Sequence, residues 1–265
     1  MGDYNEKLIQ LLNMMEFSRS TLETQPHTSV HEFRKCTKYM RALLKFIPNE
    51  AKSIDKQLKS ASQILSPFRD AQVNLETYQN TALENDSLRD PELERLLIEK
   101  SQPVGPFADY FDIKVLDKKL HKIQYHLNAI ASHPSPSEVN TGVRKSYNSG
   151  KAWMSQVNER STHDIVHSWR KKTKRLWYQL RFLAGDEHYD PHHLVNAGDH
   201  LGAVLGEIHD LDMFQLAYHE HLNEQFSHAI LDRRNTLLTE SMISGEKIYN
   251  SGSDDFYNIL DQLTT

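Results

Sequence analysis

Apolar residues recur every three or four positions along most of the chain, which is the spacing of amphipathic helices that each bury one face. The pattern predicts helical segments at residues 4–23, 30–47, 49–65, 68–84, 108–131, 138–159, 163–184, 192–222, 224–243 and 246–262. No segment combines the two-residue alternation of a strand with the residues of a hairpin turn. We therefore predict an all-α fold.

The ends of two predicted helices carry specific signals. Ser29 followed by Glu32 has the spacing of a capping box, which predicts the start of one helix, and Pro48 would stop it. For the helix at 163–184, a hydroxyl residue at 161–162 is the expected N-cap and Gly185 the expected C-cap.

The helix predicted at 163–184 has two distinct faces. Its apolar stripe contains Val166, Trp169, Thr173, Leu176, Trp177 and Leu180. The adjacent arc contains His167, Arg170, Lys171, Lys174, Tyr178 and Arg181, and Arg175 adds a further cation. A solvated helix surface usually mixes charges of both signs, yet Ile165 to Arg181 holds six Lys or Arg and no acid. This pattern indicates an anionic partner.

The same arrangement occurs earlier in the chain. The apolar stripe there consists of Val30, Phe33, Thr37, Met40 and Leu44, and the cationic one of His31, Arg34, Lys35, Lys38, Arg41 and Lys45. Subtracting 136 places His167, Arg170, Lys171, Lys174 and Arg181 on His31, Arg34, Lys35, Lys38 and Lys45, so each falls on a residue of the same kind. We interpret the match as an internal duplication.

A second pair of motifs follows the two basic segments. Residues 65–71 contain Arg69 and Asp70, and residues 205–211 contain His209 and Asp210 at an offset of 140. The proline-rich segment 133–137, HPSPS, is the best candidate for a linker between the halves. We predict a first helical-bundle repeat at 1–132 and a second at 138–265. A turn is expected at 86–91 and a loop at 101–107.

These motifs resemble those of the CHAD family, the conserved histidine α-helical domain. The residues that carry the resemblance are VHxxRKxxKxxR and LxxxRDxxV in the first half, and VHxxRKKxKRxxYxLR and LGxxHDLD in the second. The resemblance implies two pseudo-symmetric four-helix bundles whose basic helices line a central cavity or pore that binds inorganic polyphosphate. It assigns the ligand to the basic residues of both stripes, together with Arg69 and His209.

The two halves depart from each other within this pattern. Cys36 and Tyr39 stand where the second half has Lys172 and Arg175, and Arg69 is replaced by His209. We therefore expect the two halves to contribute unequally.

The charge distribution narrows the class of partner. The chain of 265 residues has a net charge of −5, but segments 30–47 and 165–181 contribute 11 basic residues and one acid, Glu32. The remainder carries −15, an acidic body that repels extended nucleic acid while leaving a local anion site. A single cysteine, Cys36, excludes an internal disulfide, and no apolar run suits a membrane span. We expect a cytoplasmic protein with no membrane association.

The residue types favour phosphate binding without catalysis. Arg and Lys form charge-assisted hydrogen bonds with oxyanions, and a stripe about 21 Å long suits a polymer better than a single phosphate. His31 and His167 would add charge only below about pH 6.5 to 7; alternatively, they are neutral and hold helix termini. Asp70 and Asp210 are expected to orient cations, because an acid facing a polyanion would repel it.

Three other readings of the sequence compete with this one. A solvated basic face would bind nothing, and a scaffold would dock an acidic segment of a partner protein. The third is a metal-dependent phosphohydrolase, suggested by His163 and His167 at i,i+4 and by the His-Asp pairs at 163–164 and 209–210. Such an enzyme needs several carboxylates converging on its metals, so we expect neither an enzyme nor a metal or other cofactor. We interpret His188, His192 and His193 as surface histidines.

Overall fold

The computed structural model describes residues 3–83, 88–102, 111–130, 133–185, 193–249 and 253–264, except for the side chains of residues 253 and 254. These residues form helices and connecting turns, and no strand occurs among them. The all-α prediction is therefore confirmed. Part of the predicted turn at 86–91, most of the predicted loop at 101–107, His188 and His192 lie outside the described residues.

The helices are described in chain order. They are α1 (Tyr4–Ser20), α2 (Pro26–Leu43), α3 (Lys52–Ile64), α4 (Ser66–Leu83), α5 (Pro91–Ser101), α6 (Ile113–Asn128), α7 (Pro136–Met154), α8 (His163–Ala184), α9 (Leu194–Tyr218), α10 (Glu224–Tyr249) and α11 (Ser253–Thr264), with a 3-10 turn at His219–His221. None of the described helices is both long enough and apolar enough to cross a membrane.

The bounds of α8 agree with the prediction at both ends. Thr162 is the N-cap residue, although its side chain makes no capping hydrogen bond. Gly185 follows the helix with φ of 78°, a left-handed conformation that glycine adopts without steric cost. The basic face of α8 is therefore carried on one continuous helix.

The predicted capping box at the start of α2 is wrong. The helix begins four residues earlier at Pro26, because proline at the first helical position has a φ already suited to a helix and needs no amide partner. Ser29 is buried in the first turns, and its hydroxyl pairs with that of Thr21 at 2.8 Å. The helix also ends at Leu43, before Pro48.

Helix α5 was not predicted, and α10 was predicted too short. Pro91 begins α5, and the carboxylate of Asp90 accepts from the amides of Glu92 and Leu93 at 2.9 and 3.1 Å. Helix α10 continues to Tyr249, so Gly245 lies inside it. A Cβ at Gly245 would lie 2.8 Å from Trp169. Close packing, and not helix termination, explains this glycine.

The chain folds into two compact units. The first unit contains Gly2–Val73 and Leu96–Glu138, and the second unit contains Asn74–Arg95 and Val139–Thr265. In the first unit α1 packs on α2, α2 on α3, α3 on α6 and α6 on α1, which closes a ring of four helices. Its interior is built from apolar residues of all four helices, including Leu8, Met15, Val30, Phe33, Met40, Ile54, Leu58, Leu116 and Ile123. This packing fixes the direction in which the other face of α2 points.

In the second unit α8 packs on α9, and α9 packs on α10. The core contains Trp169, Leu176 and Leu180 of α8, together with Leu201, Leu205, Ile208, Ile230 and Leu237. Tyr147 of α7 stacks on Phe256 of α11, with ring centroids 4.0 Å apart. The predicted apolar stripes of α2 and α8 are thus both buried, and their cationic arcs lie beside the core.

Candidate functional site

The first basic surface comprises the cations of α2 and the start of α4, namely His31, Arg34, Lys35, Lys38, Arg41, Lys45 and Arg69. Lys38 and His31 are exposed, and the other five are half-buried. Thr37 of the apolar stripe is buried, and its hydroxyl donates to the carbonyl of Phe33 at 2.9 Å. All predicted cations of the first half therefore lie in one unit, along one helix and the adjoining turn.

Arg34 connects the basic helix to the neighbouring chain. Its guanidinium donates to the carbonyl of Ser62 at 3.2 Å and to the hydroxyl of Ser66. Because Ser66 itself bonds to the carbonyl of Ser62 at 3.1 Å, the three groups form a small network at the junction of α3 and α4. Arg34 thus has a structural task as well as a charge.

Acidic residues border the first basic surface. Asp55 of α3 accepts from Arg41 at 2.7 Å and lies 3.4 Å from the ammonium of Lys45. Glu32 lies 3.2 Å from Lys35. Partial burial opposes ionisation of Asp55, but its hydrogen bond from Arg41 lowers the pKa of the carboxyl overall. Three of the cations of α2 are therefore paired with carboxylates.

Asp70 lies among cations, as expected for an orienting acid. Burial raises the pKa of its carboxyl, while Arg34, Arg69 and Lys38 act in the opposite direction. Asp70 therefore interacts electrostatically with three cations of the first basic surface. Arg69 is also close enough to His31 to lower its pKa, after desolvation, which is the larger cause. Both causes favour the neutral form of the His31 imidazole.

The second basic surface comprises predicted binding residues of α8 together with His209 of α9, namely His167, Arg170, Lys171, Lys174, Arg175, Arg181 and His209. Lys171 and Arg181 are exposed, and the other five are half-buried. Tyr178, which was predicted in the same arc, is 3% exposed and packs against Trp177 with ring centroids 4.6 Å apart. Its ring belongs to the core side of this surface.

Three glycines of α9 lie beneath the side chains of α8. A Cβ at Gly198 would lie 3.3 Å from Trp177, one at Gly202 would lie 2.5 Å from Lys174, and one at Gly206 would lie 3.6 Å from Arg170. The four-residue spacing places the glycines on one face of α9. Lys174 and Arg170 therefore extend across the surface of α9, and their stems are held by it.

Lys174 contacts an aromatic ring and a carboxylate in addition to the surface of α9. Its ammonium lies 4.0 Å from the ring centroid of Trp177 and 3.7 Å from Asp199. Arg181 also lies near the same ring, with its guanidinium carbon 5.7 Å from the centroid. Burial lowers the pKa of Lys174, and Asp199 opposes the shift. Trp177 therefore organises two cations of the second basic surface.

Arg170 combines burial with charge. Desolvation lowers its pKa, and Asp210 is the principal group that opposes this. Arg170 and Asp210 therefore stand to each other as Arg34 stands to Asp70, which agrees with the expected orienting role of both acids. Because a guanidinium stays protonated at any physiological pH, Arg170 contributes a fixed positive charge.

Three histidines meet where α8 begins. His163, His167 and His209 each offer a ring nitrogen, and these nitrogens lie within 4.8 Å of one another. The His163 and His209 rings share a hydrogen bond of 3.0 Å, and the His167 and His209 ring centroids are 4.4 Å apart. Burial, followed by Lys171 and Arg170, lowers the pKa of His167 to about 4. His167 is therefore neutral at pH 7 and adds no charge to the surface.

Sequence reasoning missed several residues that shape these surfaces. Asp55 and Asp199 border the cations, and the glycines of α9 carry the arginine and lysine stems. The spacing of Gly198, Gly202 and Gly206 is visible in the sequence and could have indicated a close helix contact. The two aspartates carry no such local signal, because they lie on helices other than the ones they contact.

The fold and the surfaces define an all-α protein with a basic helix in each of two compact units, each bordered by carboxylates. The profile of the CHAD domain matches residues 14–219, and the chain belongs to this family. The crystal structure of the CHAD domain from the plant Ricinus communis is similar, with a TM-score of 0.63 and 16% sequence identity. The match covers 97% of this chain and 90% of that one. No curated protein matches the chain.

Proposed function

We propose that the protein binds inorganic polyphosphate through its two basic surfaces and does not consume it. The observation that carries the proposal is the row of cations on α8, where Arg170, Lys174 and Arg181 lie beside an apolar stripe that is buried and includes Trp169 and Trp177. The row from His167 to Arg181 is about 21 Å long at about 1.5 Å per residue. A chain of linked phosphates offers repeated oxyanions over such a length.

The packing of these cations favours a polyanion over a single small anion. Lys174 rests on Trp177 and over Gly202, and Arg170 passes over Gly206, so their positions are set before a ligand binds. Preorganised side chains lose less conformational freedom on binding. The same surface would hold short phosphates weakly, because each would engage only one or two cations.

Absence of hydrolysis is the second part of the proposal. Among the described residues of the second surface, the carboxylates near the histidine cluster belong to Asp164, which is exposed, and Asp210, which opposes the charge of Arg170. Two-metal hydrolysis of a phosphate bond uses several carboxylates directed at the metals. The cluster has three imidazoles, and its neighbouring charges are mainly positive.

The test is a titration of the purified protein with tripolyphosphate, medium-chain and long-chain polyphosphate. Controls are ATP, duplex DNA and polyglutamate, with release of phosphate followed in the same samples. We expect the longest polyphosphate to bind most tightly, with log K falling against log salt at a slope of about −3 or steeper if four or more phosphates are neutralised. Equal affinity for polyglutamate would favour an acidic protein partner, and metal-dependent release of phosphate would indicate an enzyme.

A further inference from the structure

We infer that the outer face of α3 and α6 in the first unit is a binding surface for single-stranded nucleic acid. Six lysines of this surface, called the lysine face, are Lys52, Lys56 and Lys59 of α3 and Lys118, Lys119 and Lys122 of α6. Five of them are exposed, and Lys119 is half-buried. None belongs to the two basic surfaces, so the inference is independent of the polyphosphate proposal.

The lysines of both helices lie side by side on the outside of the first unit. At about 100° per residue, the three lysines of α3 fall within about 60° of one another, opposite the buried Ile54 and Leu58. Ser53 at the start of α3 shares a hydrogen bond of 3.0 Å with His126 near the end of α6. Because α3 packs on α6 and packed helices lie about 8 to 10 Å apart, the lysines of the two helices form one surface.

The acids of these two helices face other helices. The one carboxylate of α3 belongs to Asp55, which accepts from Arg41 of α2 at 2.7 Å. The one carboxylate of α6 belongs to Asp117, which accepts from Arg19 of α1 at 2.6 and 2.9 Å. A solvated helix surface usually intersperses acids with its bases. The six lysines have no such acid among them on either helix, so their charge is available to an external anion.

The charge of the chain is divided unevenly between the two units. The first unit contains 16 Lys or Arg and 13 Asp or Glu, a net charge of +3, whereas the second contains 15 and 23, a net charge of −8. At physiological salt, screening confines the effect of an exposed charge to about 8 Å. A short strand on the lysine face therefore meets the local positive charge and not the net charge of the whole chain.

An exposed aromatic residue favours nucleic acid over other polyanions. Tyr125 of α6 is 73% exposed and lies three residues after Lys122, on the same side of the helix. His126 contacts its ring in a T-shaped arrangement, with ring centroids 5.4 Å apart. Proteins that bind single strands combine cations along the phosphate backbone with aromatic rings on which bases stack. Polyphosphate and acidic peptides have no base to place on Tyr125.

Fluorescence anisotropy with a labelled oligothymidylate tests the surface on the full chain, with polyphosphate and polyglutamate as parallel ligands. Lys56→Gln combined with Lys122→Gln should weaken oligothymidylate binding by about 30-fold. The slope of log K against log salt should become shallower by about 1.4, because each phosphate of a single strand contributes about 0.7. Tyr125→Ala should weaken binding by about fivefold or more and leave the slope unchanged. Both variants should keep the polyphosphate affinity of the native protein.

The matched control replaces Lys145 and Lys247, two exposed lysines of the second unit, by Gln. It removes the same charge and should leave oligothymidylate binding unchanged, and circular dichroism should show that all variants remain helical. Failure of the native protein to bind oligothymidylate would overturn the inference. So would equally tight binding by the folded variant of Lys56 and Lys122, because the strand would then lie elsewhere.

Three further outcomes would contradict the assignment to nucleic acid. Unchanged oligothymidylate affinity in Tyr125→Ala would show that no base stacks on the ring. Equal affinity of the native protein for polyglutamate, lost in the variant of Lys56 and Lys122, would indicate an acidic protein partner. Loss of polyphosphate affinity in that variant would place polyphosphate on the lysine face.

Discussion

Asp55 of α3 accepts a hydrogen bond from Nε of Arg41 on α2 at 2.7 Å, and the same carboxylate lies 3.4 Å from Lys45. One acid therefore offsets two cations of the first basic surface. In addition, Cys36 and Tyr39 occupy buried positions where the second half has the half-buried cations Lys172 and Arg175. The unequal contribution of the two halves stays a prediction, and the buried Cys36 and Tyr39 support it because they narrow the basic face of α2.

Replacing Asp55 by Asn should strengthen polyphosphate binding. The substitution keeps the shape of the side chain but removes the negative charge beside Arg41 and Lys45. A unit charge about 4 Å away is worth about 1 kcal/mol in water, so an increase in affinity of about fivefold is expected by isothermal titration. Glu224→Gln, which removes an exposed acid of α10, is the control for net charge. An equal gain in both variants would show that only overall charge matters.

The same substitution gives a prediction about pH. The folded pKa of Asp55 is lowered, so its ion pair stabilises the protein above the unfolded pKa of 3.8, and this contribution is lost as the pH falls through the folded value. At pH 7, Asp55→Asn should lower the free energy of unfolding by about 1 kcal/mol at most, since the pair is partly exposed. Urea unfolding should show this difference disappearing in acid. A difference that persists well below pH 3.8 would contradict the assignment.

Gly202 and Gly206 offer a matched pair for the packing of cations on α9. A Cβ at Gly202 would lie 2.5 Å from Cδ of Lys174, so Gly202→Ala should move the lysine and reduce polyphosphate affinity by up to about fivefold. At Gly206 the nearest atom would be 3.6 Å away, so Gly206→Ala should leave the affinity unchanged. Both changes favour the helix by about 1 kcal/mol. Equal affinities of the two variants would show that the position of Lys174 does not matter.

Gly245→Ala should reduce stability in spite of the better helix propensity of alanine. Its Cβ would lie 2.8 Å from both Sδ of Met154 and Cζ2 of Trp169, within a packed core. Overpacking of this kind costs about 1 to 3 kcal/mol, which exceeds the gain of about 1 kcal/mol from propensity. Thermal unfolding should show a lower midpoint than that of the native protein. A higher midpoint would mean that the core near Trp169 relaxes freely.

The fold class and the basic faces could be predicted because they depend on local periodicity. The apolar stripes at Val30 and Val166 repeat at helical spacing, and burial of those stripes leaves the cations beside the core. The start of α2 was misplaced because Pro26 and Ser29 are both residues typical of a helix start, and the helix begins at Pro26. Local rules do not rank two such signals.

The details of the site depend on contacts between helices, which a sequence pattern does not contain. The pairing of Arg41 with Asp55 and the passage of Lys174 over Gly202 arise only when helices pack. The burial of Tyr178 has the same origin, since the helical period placed it at the edge of the basic arc and the core then covered it. The cluster of His209 with His163 and His167 likewise joins residues from α8 and α9.

The central claim is that the basic helices hold the polyphosphate, and two matched triple variants test it most directly. One replaces Lys171, Lys174 and Arg181 by Gln, and the other replaces their counterparts Lys35, Lys38 and Lys45. Both leave unchanged Arg170 and Arg34, whose side chains support neighbouring helices.

The measurement is the dissociation constant for long-chain polyphosphate at one salt concentration, with circular dichroism to confirm folding. Loss of three cations at about 1 kcal/mol each predicts a weakening of up to about 100-fold. We expect a larger loss for the second-unit variant, since residues 165–181 carry +6 and residues 30–47 carry +4. If both folded variants bind as tightly as the native protein, the ligand does not lie on these helices.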